Sequence, residues 1–224
     1  MMNLEQNIKG LCAKFGLNFD DLLNDFQVDS VYELSIVDLE TIAEEYELDL
    51  QALLFSPLYD NEFISKKLSS IKLLILDVDG VMTDGGMYYT ENGDQFKKFN
   101  AKDGMAIMHL RKKGFPVGII SSGFSGEAIR KRAEILNIDL CYIGRDPKLG
   151  VLQTWCSDLG ISLKEVAIIG DDINDLEVMQ QVGFSACPAD AVVEIKKQVD
   201  LILTQKGGKA CIREFVDNYF NFNK

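Results

Sequence analysis

The sequence predicts an α/β fold, a parallel sheet with helices on both faces and a β-hairpin flap, preceded by a small all-α N-terminal domain. Three observations lead there. From residue 71 onward short apolar runs alternate with helical stretches, the pattern that a parallel sheet with crossover helices produces. Before residue 60 the apolar residues recur instead at three and four positions, the spacing of amphipathic helices. Between the two, "SPLYDNEF" interrupts both patterns with a proline and polar residues, which sets a boundary near Phe63 and predicts domains over 1–62 and 63–224.

Taken in order, "NIKGLCAKFG", "FDDLLNDFQ" and "VDLETIAEEYELDLQALLF" are the N-terminal helical stretches. Their apolar residues, among them Leu22, Leu23, Phe26, Ile42, Leu50 and Leu53, fill a small core but a marginal one for sixty residues alone, so docking on the second domain or on another subunit is expected. "IKLLIL" is the first strand, and "MYYTENGDQFKKF" reads as a hairpin turning at Glu91-Asn92-Gly93. "PVGIIS", "DLCYIG", "EVAIIG" and "VGFSAC" are further strands, with helices expected around 103–113, 125–136, 148–159 and 172–181. The arrangement is Rossmann-like.

The chain has 224 residues, 47% of them hydrophobic, enough for a full core. No run of eighteen apolar residues exists, and "MMNLEQNIKG" lacks the basic start and apolar stretch of a signal peptide, so a cytoplasmic protein without a membrane partner is expected. Five cysteines, odd in number and without a C-x-x-C pair, suggest neither a disulfide framework nor a zinc site. The single histidine, His109, lies in a helical pattern and excludes a histidine-rich metal centre. The net charge of −12 is concentrated in residues 1–60, where thirteen acidic residues face only Lys9 and Lys14. Such a segment repels phosphate backbones, which argues against nucleic acid as a partner.

The first strand runs into "DVDG". On an extended chain Asp77 and Asp79 project to the same side, at the carboxyl end of a strand, where parallel α/β sheets bind ligands. Two close carboxylates repel each other, and a divalent cation or a shared proton relieves them; a turn cap is the plainer use of either residue. "AIIGDDINDLEVM" repeats the design with Asp171, Asp172 and Asp175, and two acidic strand ends in one sheet suit magnesium held by oxygen ligands. "VGIISSGF" ends a third strand in Ser121, Ser122 and Gly123, offering hydroxyls and backbone N–H groups to an anion, and Lys148 stands at the entry of a later helix. Hydroxyl, lysine, cation and carboxylate together make a phosphate site.

These residues, "DVDGVMTDGG", the serine after "VGII", Lys148 and "GDDINDLEVM", resemble in order and spacing the four motifs of the haloacid dehalogenase superfamily of phosphohydrolases, over about residues 70–219. "TDGGMYYTENGDQFKKFNAKDG" and "GGKACIREFVDNYF" further resemble its capless subgroup, which acts on eight- and nine-carbon keto sugar acids such as 3-deoxy-octulosonate 8-phosphate and nononate or sialic acid 9-phosphates. The space between Asp77 and Ser121, and between Lys148 and Asp171, holds no helical cap. The resemblance implies a magnesium-dependent phosphatase, assembled as a homotetramer, in which Asp77 attacks phosphorus and Asp79 serves as acid and base. Magnesium would sit on the Asp77 carboxylate, the Asp79 carbonyl and Asp171, steadied by Asp172 and Asp175. Ser121, Ser122, Gly123, Lys148 and Asn174 would surround the substrate, with Ser121 or Ser122 as the second-motif hydroxyl. "SSGF" is also similar to phosphoserine phosphatases, and a non-catalytic oligomerisation or regulatory module is the other alternative.

Overall fold

The computed structural model describes residues 4–15, 17–46, 48–55, 58, 64, 67–92, 95–123 and 126–220. Phe63, at the expected boundary, and Gly93, in the expected turn, lie outside the described residues. The N-terminal part is helical: α1 (Leu4–Phe15), α2 (Phe19–Asp25), α3 (Ile36–Glu45) and α4 (Leu50–Phe55). Local side chains start these helices. Asn18 accepts from the N–H groups of Asp20 and Asp21, and Ser35 and Asp38 form a capping box, so donors that a short helix would leave open are met.

Among the remaining described residues the strands form one six-stranded sheet and a hairpin. The sheet strands are β1 (Leu73–Leu76), β4 (Val117–Ser121), β5 (Leu140–Ile143), β6 (Val166–Ile169), β7 (Phe184–Cys187) and β8 (Leu201–Ile202). They run in the order β5-β4-β1-β6-β7-β8, all neighbours parallel. The chain passes outward from β1 through β4 to β5 and then crosses to β6 on the other flank. That reversal leaves a crevice at the carboxyl end of β1. The strand β8, two residues long, was not among those expected. The hairpin pairs β2 (Tyr88–Tyr89) with β3 (Gln95–Phe96) antiparallel, with Tyr88 opposite Phe96.

Helices α5 (Ala101–Lys112), α6 (Glu127–Ile135), α7 (Lys148–Leu159), α8 (Ile173–Gln181), α9 (Val193–Lys196) and α10 (Cys211–Asn218) cover the sheet. The alternation of β1 splits the core in two. Leu74 and Leu76 pack in one cluster with Ile107, Leu110, Ile129, Phe215 and Val216 from α5, α6 and α10. Leu73 and Ile75 belong to the other, with Leu152, Cys156, Val178 and Ile195. This second cluster is continuous with Ile8, Leu11, Ile42 and Leu53 of the N-terminal helices, which therefore share the core of one sheet face. No helix of the described residues is long and apolar enough to cross a membrane.

Candidate active site

The strand that delivers the first acidic pair stops earlier than alternation suggests. β1 ends at Leu76, Asp77 donates its N–H to the Ile169 carbonyl at 3.0 Å, and the chain turns through Val78–Met82, closed by Thr83 N–H to Val78 O at 2.9 Å. Asp77 and Asp79 still face one cleft, but a wide turn, not strand alternation, puts them there. Gly80 is what permits this turn. Its φ is +94°, and a Cβ at this position would lie 2.0 Å from Asp171 Oδ2, so the Asp171 carboxylate occupies the room a side chain would take.

Lys148, the first residue of α7, ties the two acidic strand ends together. Its Nζ donates to Asp77 Oδ1 at 2.6 Å and to Asp175 Oδ1 at 2.7 Å, and all three side chains are buried. Asp175 reaches back with its other oxygen to the backbone N–H of Asp171 at 3.1 Å, and with Asp172 it forms the capping box that starts α8. Ser121 is buried at the end of β4, while Ser122 is exposed and accepts from Asn174 Nδ2 at 3.3 Å. Both serines, with Gly123, Asp172 and Asn174, line the same cleft of about 260 Å³ as Asp77 and Asp79. Lys148 and Asp171 stand behind its wall, in contact with Asp77 and over Gly80.

The electrostatics of this edge are unfinished without a cation. Burial, then the charge of Asp175, raises the Asp77 carboxyl to about 7 against the pull of Lys148. Burial, then Asp77, Asp175 and Asp172, raises Asp171 to about 8. Burial opposes the Lys148 ammonium, yet Asp77 and Asp175 outweigh it and raise its pKa. Asp77, Asp171 and Asp175 each bring one oxygen within 4.8 Å of the others, and Asp171 Oδ1 is buried with no hydrogen-bond partner. A small oxygen-seeking dication fits this donor set. The Asp79 carboxylate is not part of the cluster.

Sequence reasoning missed the hairpin's share of the site. Met87, Tyr89, Gln95 and Lys97 line the cleft, and Lys97 Nζ donates to Asp79 Oδ1 at 2.5 Å. The signal was alternation. Gln95 of β3 and Lys97 just past its end fall on one side of the chain, and Phe96 between them is 60% exposed.

The chain is similar to known phosphatases in sequence and in fold. The family described as haloacid dehalogenase-like hydrolase matches residues 145–210. The 3-deoxy-D-manno-octulosonate 8-phosphate phosphatase KdsC of Haemophilus influenzae is 37% identical over 158 residues, which span 69% of this chain and 85% of that protein. The crystal structure of a 3-deoxy-D-manno-octulosonate 8-phosphate phosphatase from Moraxella catarrhalis, in complex with magnesium ion, phosphate ion and KDO, superposes with a TM-score of 0.68 at 33% identity, covering 73% of this chain and 95% of that one. A cobalt-bound deoxy-D-mannose-octulosonate 8-phosphate phosphatase from Haemophilus influenzae gives 0.64 at 36% identity over 67% and 88% of the two chains.

Proposed function

Because the chain belongs to the haloacid dehalogenase-like hydrolases and is a phosphoric monoester hydrolase, we propose that it removes the phosphate of 3-deoxy-octulosonate 8-phosphate. The observation that carries the reading is the convergence of Asp77, Asp79, Ser121 and Asn174 on one cleft, with Lys148 and Asp171 directly behind, at the carboxyl edge of the sheet. Relatives that match this chain over most of their length act on that substrate, and one of them is seen with magnesium, phosphate and KDO.

In this reading Asp77, at the carboxyl end of β1, attacks phosphorus and the bond to the sugar oxygen breaks, leaving an aspartyl phosphate. Asp79 gives its proton to the departing alkoxide and takes one from the water that then attacks phosphorus, which releases phosphate and regenerates Asp77. Ser121 and the N–H groups beside it hold phosphate oxygens. Lys148 pulls the buried Asp77 carboxyl toward its ionised form against desolvation and offsets the charge of the incoming dianion. The cation would rest on Asp77, Asp171 and the Asp79 carbonyl, with Asp175 fixing Lys148 and the turn behind it. Bound magnesium supplies charge neutralisation between the carboxylates and the phosphate.

The hairpin's exposed Met87, Tyr88, Tyr89 and Phe96 support assembly of the capless subunits into a homotetramer that shields the open clefts. Phosphate release should be measured with magnesium on 3-deoxy-octulosonate 8-phosphate, the nine-carbon 9-phosphates and phosphoserine. The eight-carbon substrate should be turned over fastest. Preference for a 9-phosphate or for phosphoserine would replace the substrate assigned here, and no release from any of them would end the phosphatase reading.

A further inference from the structure

Resting on the phosphatase reading above, we propose that Lys97 is a positioning residue for Asp79, by which the hairpin sets the proton donor of the first displacement. Lys97 directly follows β3, and its side chain is 4% exposed although it carries a full charge. Its neighbour Lys98 points the other way, 65% exposed, with Asp84 3.9 Å distant. One lysine of the pair is therefore turned inward, and its ammonium meets Asp79 Oδ1 at 2.5 Å. A buried ammonium is tolerated only where a charge partner and hydrogen bonds replace its water, and Asp79 supplies both.

The site repeats one device twice. Lys148 from α7 holds Asp77 together with Asp175, and Lys97 from the hairpin holds Asp79, so each carboxylate of "DVD" meets a buried lysine from a different element. The second bond to Asp79 also reaches Oδ1: Thr83 Oγ1 lies 3.3 Å away, though the same hydroxyl is 3.2 Å from Val78 O and has one proton to give. With Oδ1 anchored, the rotation of the carboxyl is set, and Oδ2 is the oxygen left to take up a proton from solvent as the phosphate monoester enters and to pass it to the sugar oxygen. As Asp79 Oδ2 releases that proton to the sugar oxygen and the phosphorus–oxygen bond breaks, negative charge develops on Asp79 beside a fixed cation. An interaction that grows along the reaction lowers the barrier. The gain is confined to steps in which the leaving group needs a proton.

Leaving-group dependence tests this. Wild type and Lys97→Met should be compared, with saturating magnesium, on a sugar-acid alkyl phosphate and on 4-nitrophenyl phosphate, whose leaving group departs without protonation. The kcat on the alkyl ester should fall by about 100-fold or more, in the range of general acid catalysis, and on the aryl ester by less than about 10-fold, with little change in KM. Equal losses on the two esters, or a raised KM with kcat kept, would overturn the proposal, the latter making Lys97 a substrate ligand. Should Lys97→Met not fold, Lys97→Gln carries the same comparison, and failure of both to fold would assign Lys97 a purely structural role and overturn the proposal. A wild type that hydrolyses neither ester sinks the phosphatase reading itself, whereas an active wild type with an unchanged ratio in the variant sinks only the role of Lys97.

Discussion

Residues 1–60 hold thirteen acidic side chains against two lysines, whereas the carboxyl edge of the sheet gathers Asp77, Asp79, Asp171, Asp172 and Asp175 around Lys97 and Lys148. In the first region the carboxylates are mostly in water or serve a helix: Asp38 closes a capping box with Ser35, and Asp49 accepts from Ala52 N–H at 2.9 Å. In the second, Asp77 and Asp175 are buried and Asp79 and Asp171 partly so, withheld from water faster than donors are supplied, as the orphan Asp171 Oδ1 records. The helical region is the more acidic by count, and the sheet edge holds the more strongly perturbed carboxyls. What decides between them is desolvation without full compensation, which leaves a standing demand for a cation.

The strongest way to break the contrast is to remove one site carboxylate at constant volume. Asp77→Asn should lower kcat by about 10⁴-fold or more while circular dichroism stays unchanged, because it deletes the proposed nucleophile and little packing. Near-native turnover would remove the aspartyl phosphate from the mechanism.

Next in size is the response to pH and metal. The Asp77 and Asp171 carboxyls are raised to about 7 and about 8 in the folded protein, above their usual range near 4 when unfolded. The folded state then binds more protons than the unfolded one between those limits, so metal-free stability falls as pH rises from about 4 to about 8. Calorimetry of the metal-free protein should show a lower Tm at pH ~8 than at pH ~6, and saturating magnesium should remove the difference. Asp171→Asn should flatten the metal-free dependence. The same linkage predicts that magnesium affinity, followed by titration calorimetry, tightens over that interval as protons cease to compete.

Most of the sheet edge was legible because chemistry and periodicity coincide there: each apolar strand announces itself, and polar residues after several strands of one sheet converge on one crevice, although a cap is the plainer use of any one of them alone. Ser121, Lys148 and the two acidic strand ends were found in this way. What was missed depends on contacts distant in sequence or on very short elements. β8 pairs through Leu201 and Ile202 alone, too few residues for a period. Lys97 lies eighteen positions from Asp79, and "KK" does not tell which lysine turns inward until β2 and β3 fix the register. Nor does "LLILDVD" say that the strand stops at Leu76, because that is set by Gly80 making room for Asp171 from the far end of β6. The helical region was legible as helices, but its continuity with Leu73 and Ile75 was not, since an apolar stripe does not name its partner.

A smaller effect is expected where carboxylates and hydroxyls serve only local structure. Ser35→Ala removes the hydroxyl that accepts from Asp38 N–H in the capping box of α3. Thermal unfolding should show a loss of about 1 kcal/mol, or a Tm lower by about 2–4 °C, with kcat unaltered. A change in turnover would mean that the acidic helices are coupled to the site and that the contrast between the regions is too sharp.

The smallest effect tests the one ion pair described between the two regions. Lys196 Nζ lies 3.1 Å from Asp49 Oδ2, their side chains 11% and 27% exposed. Lys196 closes the short helix α9, and just before that helix Val192 N–H donates to the Asp171 carbonyl at 3.0 Å. A bonded route therefore runs from the acidic helices to a site residue. Proximity alone does not make it a conduit, because coupling requires an element with two arrangements, and a buried sheet face filled by one continuous cluster offers only one. Asp49→Asn keeps an oxygen for the Ala52 N–H and removes only the charge, while Lys196→Met keeps the apolar stem. Each single variant and the double variant should unfold within about 1 kcal/mol of wild type, with a coupling energy near 0.5 kcal/mol, as partly exposed pairs give. Turnover and magnesium affinity should stay within about two-fold in all three. A ten-fold drop in magnesium affinity in the single variants, absent from the stability data, would show that the acidic helices do reach Asp171, and the two populations of carboxylates would then have to be read as one system.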